Sequence, residues 1–102
     1  MSAALSKQRI YPIPYELLYG SCLTALGQMR AHIEHQDIER GAIVATIGGG
    51  LLGPVSELAV TVAAVAQAKA QLAVTWRARA RGGDRTILPA FVAAVDLAAA
   101  QR

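Results

Sequence analysis

The chain has 102 residues, of which 54% are hydrophobic, 17% charged and only 5% aromatic, with a formal net charge of +3. This length and apolar content predict one folded domain over residues 1–102 with an aliphatic core, and they exclude a disordered chain. The single cysteine excludes an internal disulfide. Because the start of the chain lacks the continuous apolar stretch of a signal peptide, we expect a cytoplasmic protein.

The first predicted elements are an arm and a helix. Residues 1–12 are expected to form a flexible N-terminal arm, and Pro14 suits the first turn of the helix that follows. Cys22 lies on the apolar face of this helix, which predicts a buried structural thiol rather than a nucleophile. The side chains of that face recur at helical spacing: Tyr15, Leu18, Tyr19, Cys22, Leu26 and Met29.

A first β-hairpin is predicted after the helix. Ile33 begins a strand, the segment IERG turns it, and the return strand directs Ile43, Ala45 and Ile47 inward. His32 and His35 are the only histidines. On a regular strand they point to opposite faces, so they cannot hold one metal ion together without a β-bulge. We therefore expect no metal site.

The segment from Leu58 to Arg81 alternates with a period of two. Its even-numbered positions are all apolar, and its polar side chains stand at odd-numbered positions. Such alternation predicts β-structure with one buried and one wet face. One strand of this length would reach about 80 Å, whereas a domain of this size has a radius of gyration of about 13 Å. The segment must therefore turn, and we expect the turn near Gln67, Ala68 and Lys69.

The alternation keeps its parity through this turn. A two-residue loop alone would exchange the two faces, so we expect an odd-numbered loop or a bulge. A helix over residues 63–73 is the competing interpretation, because Ala, Gln and Lys favour helices and no Gly, Asn or Asp marks the turn. The polar residues Gln67, Lys69 and Gln71 argue against a membrane-spanning segment here.

The last predicted element is a C-terminal helix. Asp84 or Thr86 can cap it, and Pro89 is tolerated in its first turn. The fold class that follows is α+β: a helix, a four-stranded antiparallel sheet, and a C-terminal helix packed on one sheet face. The apolar stripe of the last helix contains Leu88, Phe91, Val92, Val95 and Ala99.

This order of elements resembles the helix-grip architecture, which includes the birch-allergen-like domains. The spacing of Ile33, Asp37, Gly41, Ile43 and Ala45 is also similar to the first hairpin of small bacterial domains of that shape, which occur in an outer-membrane assembly lipoprotein. The resemblance implies a fold rather than an activity, because one fold hosts many functions. The chain is shorter than the ligand-binding members of that architecture.

The glycine-rich segment GGGLLGP is a candidate binding loop. It lacks the Gly-Lys-Ser/Thr sequence that a phosphate-binding loop places at a helix start, so we interpret it as a connection between strands. Leu51 and Leu52 within it either cover one end of the core or contact a partner. Together with Trp76 they are the predicted ligand- or partner-binding residues.

Arginine occupies every second position after Trp76, at Arg77, Arg79 and Arg81, and Arg85 follows. Trp76 falls on the buried face and the arginines on the wet face, so they do not form one stacking platform for bases. We interpret the arginines as a solvated strand face that also discourages edge pairing. Nucleic-acid binding through them is the alternative, because a net positive charge attracts polyanions.

The functional prediction is a binding domain without enzymatic activity. No set of catalytic side chains has a recognisable spacing, and no cofactor is expected. We expect an apolar groove between sheet and helix, or an exposed strand edge, to hold an apolar ligand or a protein partner. Self-association to a homodimer or larger oligomer is also expected, because the core is small and an apolar tip or a strand edge would gain burial.

Overall fold

In the computed structural model, which describes residues 4–48, 56–79 and 84–101, the strands form one antiparallel sheet in the order β1-β5-β4-β3-β2. Both helices cover the same face of this sheet, so the predicted α+β class is confirmed. The elements are β1 (Ala4–Tyr11), α1 (Tyr15–Gln28), β2 (His32–Asp37), β3 (Ala42–Ile47), β4 (Ser56–Ala66), β5 (Lys69–Ala78) and α2 (Ile87–Ala100).

The predicted strand number of four is wrong, because the described sheet has five strands. The additional strand, β1, lies in the segment expected to be a flexible arm, and it pairs with β5 from Ala4 opposite Arg77 to Tyr11 opposite Ala70. Its register places the charged Lys7 and Arg9 on the helix-covered face, opposite the apolar β5. Arg9 is accommodated there because Asp96 of α2 forms an ion pair with it. No apolar alternation marks this strand in the sequence.

We call the helix-covered face of the sheet the inner face and the opposite face the outer face. Directly paired residues share a face, so the register of β4 and β5 places Leu58 with Trp76 and Val60 with Val74 on the inner face. The even-numbered positions from Ser56 to Val62 and from Ala70 to Trp76 are buried there, as the alternation predicts, whereas Ala64 and Ala66 beside the turn are exposed. Core side chains that are at most 2% exposed include Leu18, Cys22, Leu26, Ile43, Leu58, Val60, Val62, Leu72, Val74, Trp76, Phe91 and Val95.

The β4–β5 hairpin turns at Gln67 and Ala68, where the sequence predicts a turn, and no helix forms over residues 63–73. The register shifts between Ala64 and Ala66, so Val65 is an extra residue. This shift is the predicted bulge. It keeps the even-numbered side chains of both strands on the inner face despite the short loop.

The β2–β3 hairpin turns through the segment IERG, as predicted. The Asp37 carboxylate accepts hydrogen bonds from the backbone N–H groups of Glu39 and Arg40 at 3.1 and 3.3 Å. Gly41 completes the turn with a φ of +70°, in the left-handed region that favours glycine. The turn directs the chain from the sheet edge back along β3.

The helices present the predicted apolar faces to the sheet and to each other. Pro14 is the N-cap of α1, and Thr86 is the N-cap of α2. The Asp84 carboxylate accepts the backbone N–H of Thr86 at 2.9 Å, so Asp84 supports the start of α2. Among the described residues, no helix is long and apolar enough to cross a membrane.

Candidate binding groove beside the edge strand

An open groove of about 380 Å³ lies between α1 and β2, at one edge of the sheet. On the α1 side the lining residues stand three, four and seven positions after Glu16, a spacing that places them on one face of the helix. The side contributed by β2 and its turn is the flank of an edge strand. The lining residues are Glu16, Tyr19, Gly20, Leu23, Gln36 and Ile38.

The β2 flank of the groove is set by the strand register. Gln36 pairs with the buried Ile43, so its side chain lies on the inner-face side, next to α1. Asp37 pairs with Ala42 and points the other way, and Ile38 follows it beside the groove. Ile38 is 52% exposed, so its side chain adds apolar surface to the groove. The groove therefore offers uncovered apolar surface.

Two tyrosines of α1 fix the β2–β3 turn against the helix. The Tyr15 hydroxyl donates to the backbone carbonyl of Ile38, and the Tyr19 hydroxyl donates to the carbonyl of Ala42 at 3.2 Å. Their rings stack with centroids 6.4 Å apart. Burial raises the pKa of both phenols above the ordinary value, so they remain protonated donors at neutral pH. These two hydrogen bonds hold the β2 side of the groove against α1.

The free edge of β2 is regular only in its second half. Among the strands that the structure describes, β2 pairs only with β3, and the register shifts between Ile33 and His35. A bulge of this kind interrupts strand pairing locally and protects a sheet edge. The stretch from His35 to Asp37 is regular, and this is the stretch that runs beside the groove.

A smaller pocket of about 220 Å³ lies beside the end of β1, where Tyr11 and Pro12 meet Asp96 and Ala99 of α2. Asp96 accepts a hydrogen bond from the Tyr11 hydroxyl at 2.6 Å and forms an ion pair with Arg9. Burial, followed by the neighbouring carboxylate, raises the pKa of Tyr11 well above its ordinary value. Asp96 therefore joins β1 to α2, and its carboxylate is already engaged.

In the predicted arginine face, one arginine forms ion pairs with two carboxylates. Arg79 lies between two carboxylates, with nitrogen–oxygen distances of 2.9 Å to Glu34 and 3.4 Å to Glu57. Arg77 is exposed on the outer face, opposite Glu57 in the register. Arg85 is exposed in the turn that leads into α2, and Arg81 lies outside the described residues.

The predicted ligand-binding residues do not line the groove. Trp76 is 1% exposed and packs in the inner-face core, where its indole N–H has no hydrogen-bond partner among the described residues. Leu51 and Leu52 lie outside the described residues, so their predicted role stays a prediction.

The groove residues escaped sequence analysis because they come from a helix and a turn that only tertiary structure brings together. Gly20, which follows Leu17, Leu18 and Tyr19, is the signal that could have indicated the groove, because a glycine leaves space on the face of a helix.

The expectation that the two histidines point to opposite faces is wrong, because β2 is not a regular strand. His32 pairs with Thr46 and His35 with Val44, which both lie on the outer face, because the bulge inserts Glu34 between them. No group of three or more His, Cys, Asp or Glu side chains suited to a metal ion occurs among the described residues.

Cys22 is fully buried in the core, as expected for a structural thiol. Burial raises the pKa of its thiol to about 12, so the thiolate, which is the nucleophilic form, is not populated at neutral pH.

The groove thus combines uncovered apolar side chains with a regular segment of free strand edge, an arrangement suited to an extended chain rather than to catalysis. Comparison of the chain with models of known protein families and with curated protein sequences finds no match.

Proposed function

We propose that this protein is an interaction domain that binds an extended peptide segment of a partner protein. The segment adds as a strand to the free edge of β2 and places apolar side chains in the groove beside α1. The observation that carries this proposal is the position of an uncovered apolar groove directly beside a regular segment of edge strand. Backbone hydrogen bonds supply affinity in this mode of recognition, and pockets for alternate side chains supply specificity.

The dimensions of the groove match a short extended segment. The α1 wall from Glu16 to Leu23 measures about 10 Å at the helical rise of about 1.5 Å per residue. Side chains two residues apart on a strand stand about 6.6 Å apart on one face. Two apolar side chains at positions i and i+2 of a bound peptide therefore fit along this wall. The volume of about 380 Å³ lies in the range of small-ligand pockets.

The charge at the groove selects against acidic peptides. Glu16 is the charged residue of the groove lining, whereas Asp37 points away from the groove and lies 3.7 Å from the Arg40 guanidinium. A carboxylate brought next to Glu16 would lose hydration and meet a like charge. We therefore expect the bound segment to be apolar at the two groove positions and neutral or basic between them.

The alternative function, nucleic-acid binding through the arginine face, has less support. The pairing of Arg79 with Glu34 and Glu57 reduces the positive charge that this face offers to phosphates. Absence of enzymatic activity and the resemblance to the helix-grip architecture stay predictions.

Selection from a random peptide library displayed on phage tests the proposal. We expect the selected peptides to share apolar residues at every second position. Gly20→Leu places a side chain in the groove and should reduce affinity for a selected peptide at least about tenfold, a change of about 1.4 kcal/mol. Gly27→Leu is the matched control, because it lies on the same helix and a Cβ there has nothing within 4 Å.

Methylation of the peptide backbone tests the added strand separately. Methylating the amides that face β2 should abolish binding, whereas methylating the alternate amides, which face away, should not. Equal binding by all the methylated peptides, or equal affinity of the Gly20→Leu and wild-type proteins, would show that the peptide does not bind in this way.

A further inference from the structure

We infer that the outer face of the sheet is a dimer interface, and that a second copy of this chain covers it so that the two sheets pack face to face. This interface is separate from the groove, and it uses neither the leucine pair nor a strand edge. The inference is independent of the proposed peptide binding, because no residue of the outer face lines the groove.

The outer face carries small side chains where a solvated face usually carries large charged ones. No described element covers it, since both helices pack on the inner face. An antiparallel sheet with one face in water normally shows polar residues on that face. The centre of this face, on β3, β4 and β5, instead carries one long polar side chain, Gln71, among small ones: Ala42, Val44, Ala59, Thr61, Ala63, Ala73 and Thr75.

The charges of the outer face lie around its rim and are partly neutralised. Arg79 is paired with Glu34 and Glu57 at one end, and Arg77 lies opposite Glu57. Lys69 follows the β4–β5 turn at the other end. Burying an unpaired charge would oppose association strongly. Because the centre carries none, a partner can cover it without that cost.

The area of the face suits a weak but specific dimer. Five strands about 4.8 Å apart span about 20 Å, and six to eight residues along a strand span about 20–25 Å. Each copy would therefore bury about 500 Å², and the pair about 1,000 Å², which is near the lower limit of specific interfaces. We expect a dissociation constant in the micromolar range.

The shape of the face favours a second copy as the occupant. β4 is the middle strand of the sheet. A two-fold axis that crosses β4 at right angles to the strands places each strand opposite its own copy, so the small-residue centre of one face meets that of the other. Such a contact is self-complementary, as two-fold dimers require. The two sheets can approach closely because most of the central side chains are short.

Sedimentation equilibrium over a concentration series that reaches high micromolar protein tests the inference. The wild-type chain should form dimers. Thr61→Arg places two like charges near the two-fold axis and should weaken the dimer at least about 100-fold, which corresponds to about 2.8 kcal/mol. Thr24→Arg, an identical change at an exposed position of α1, should leave the dimer unchanged.

Circular dichroism and thermal unfolding establish that each variant folds. If Thr61→Arg does not fold, Ala73→Arg on the neighbouring β5 makes the same test. A wild-type chain that stays monomeric at the highest concentration overturns the inference. A dimer that persists in a folded outer-face variant also overturns it, and assigns association to another surface.

Discussion

Gly41 is the single residue whose replacement the structure opposes most directly. Its φ of +70° strains any residue with a Cβ, and a Cβ there would stand 2.0 Å from the Val62 carbonyl oxygen and 2.8 Å from the Tyr15 hydroxyl. Gly41 also accepts the Val62 backbone N–H at 2.8 Å, so the turn cannot move without losing that bond. We expect Gly41→Ala to lower the free energy of unfolding by at least about 2 kcal/mol, measured by urea denaturation.

Gly27→Ala is the control for this prediction. A Cβ at Gly27 has nothing within 4 Å, and the position is helical. Alanine should therefore be neutral or stabilise the protein by up to about 1 kcal/mol. If Gly41→Ala were as stable as the wild type, the described geometry of the β2–β3 turn would be wrong.

At the scale of elements, the end of α1 contains a strained residue. Arg30 has a φ of +56° and follows the C-cap Met29. The Ala31 N–H donates to the Leu26 carbonyl at 2.9 Å and the Arg30 N–H to the Gly27 carbonyl at 3.1 Å, which is the Schellman arrangement. Glycine is the residue that this position favours. We expect Arg30→Gly to raise the free energy of unfolding by about 0.5–1 kcal/mol.

Chemical denaturation of Arg30→Gly alongside Arg40→Gly makes this test specific. Arg40 is also an exposed arginine outside a regular element, but its φ is not positive. Glycine at Arg40 should therefore be neutral or destabilising, because it only adds freedom to the unfolded chain. A loss of stability in Arg30→Gly would contradict the capping geometry.

For the whole molecule, stability should fall in alkali. Folding holds Cys22 protonated, with its pKa raised by burial from 9.0 to about 12, and it raises the pKa of Tyr11 above 10.0. Groups whose pKa is raised by folding stabilise the protein fully below the unfolded pKa, and this contribution is lost as pH rises above it. The free energy of unfolding should therefore decline above about pH 9. Urea denaturation between neutral and alkaline pH measures the decline.

The double variant Cys22→Ala with Tyr11→Phe provides the comparison. It removes both ionising groups, so its free energy of unfolding should start lower and decline less steeply between the same pH values. An equally steep decline would assign the alkaline sensitivity to other groups, such as Tyr15 and Tyr19, whose pKa values burial also raises.

The whole-molecule charge of +3 predicts weak, non-specific attraction to nucleic acids. Because Arg79 is paired with Glu34 and Glu57, few phosphates can be neutralised, and binding should vanish near about 0.15 M salt. Replacing Arg77 and Arg79 with Gln should lower the free energy of unfolding by no more than about 1 kcal/mol. Submicromolar binding at that salt concentration, abolished by the two changes, would instead support the nucleic-acid function. Fluorescence anisotropy with labelled DNA and RNA measures it.

Much of the fold was predictable because its pattern is local. The alternation from Leu58 to Trp76 identified the inner face of β4 and β5, and its unbroken parity required an odd-numbered loop or a bulge, of which the bulge is found, at Val65. The apolar stripes of both helices and the IERG turn were predictable for the same reason. A side chain's direction in a strand or helix follows from its position in the chain, so burial leaves a periodic record in the sequence.

Only the tertiary structure decided the edges of the sheet and the candidate site. β1 carries Lys7 and Arg9 at inward positions, and the partner that accommodates Arg9, Asp96, lies 87 residues away. The groove joins Leu23 of α1 to Ile38 of the following turn, and Arg79 reaches Glu34 across the sheet. These contacts depend on distances between elements, which no local period encodes, because edge positions are only half covered and tolerate polar and apolar side chains alike.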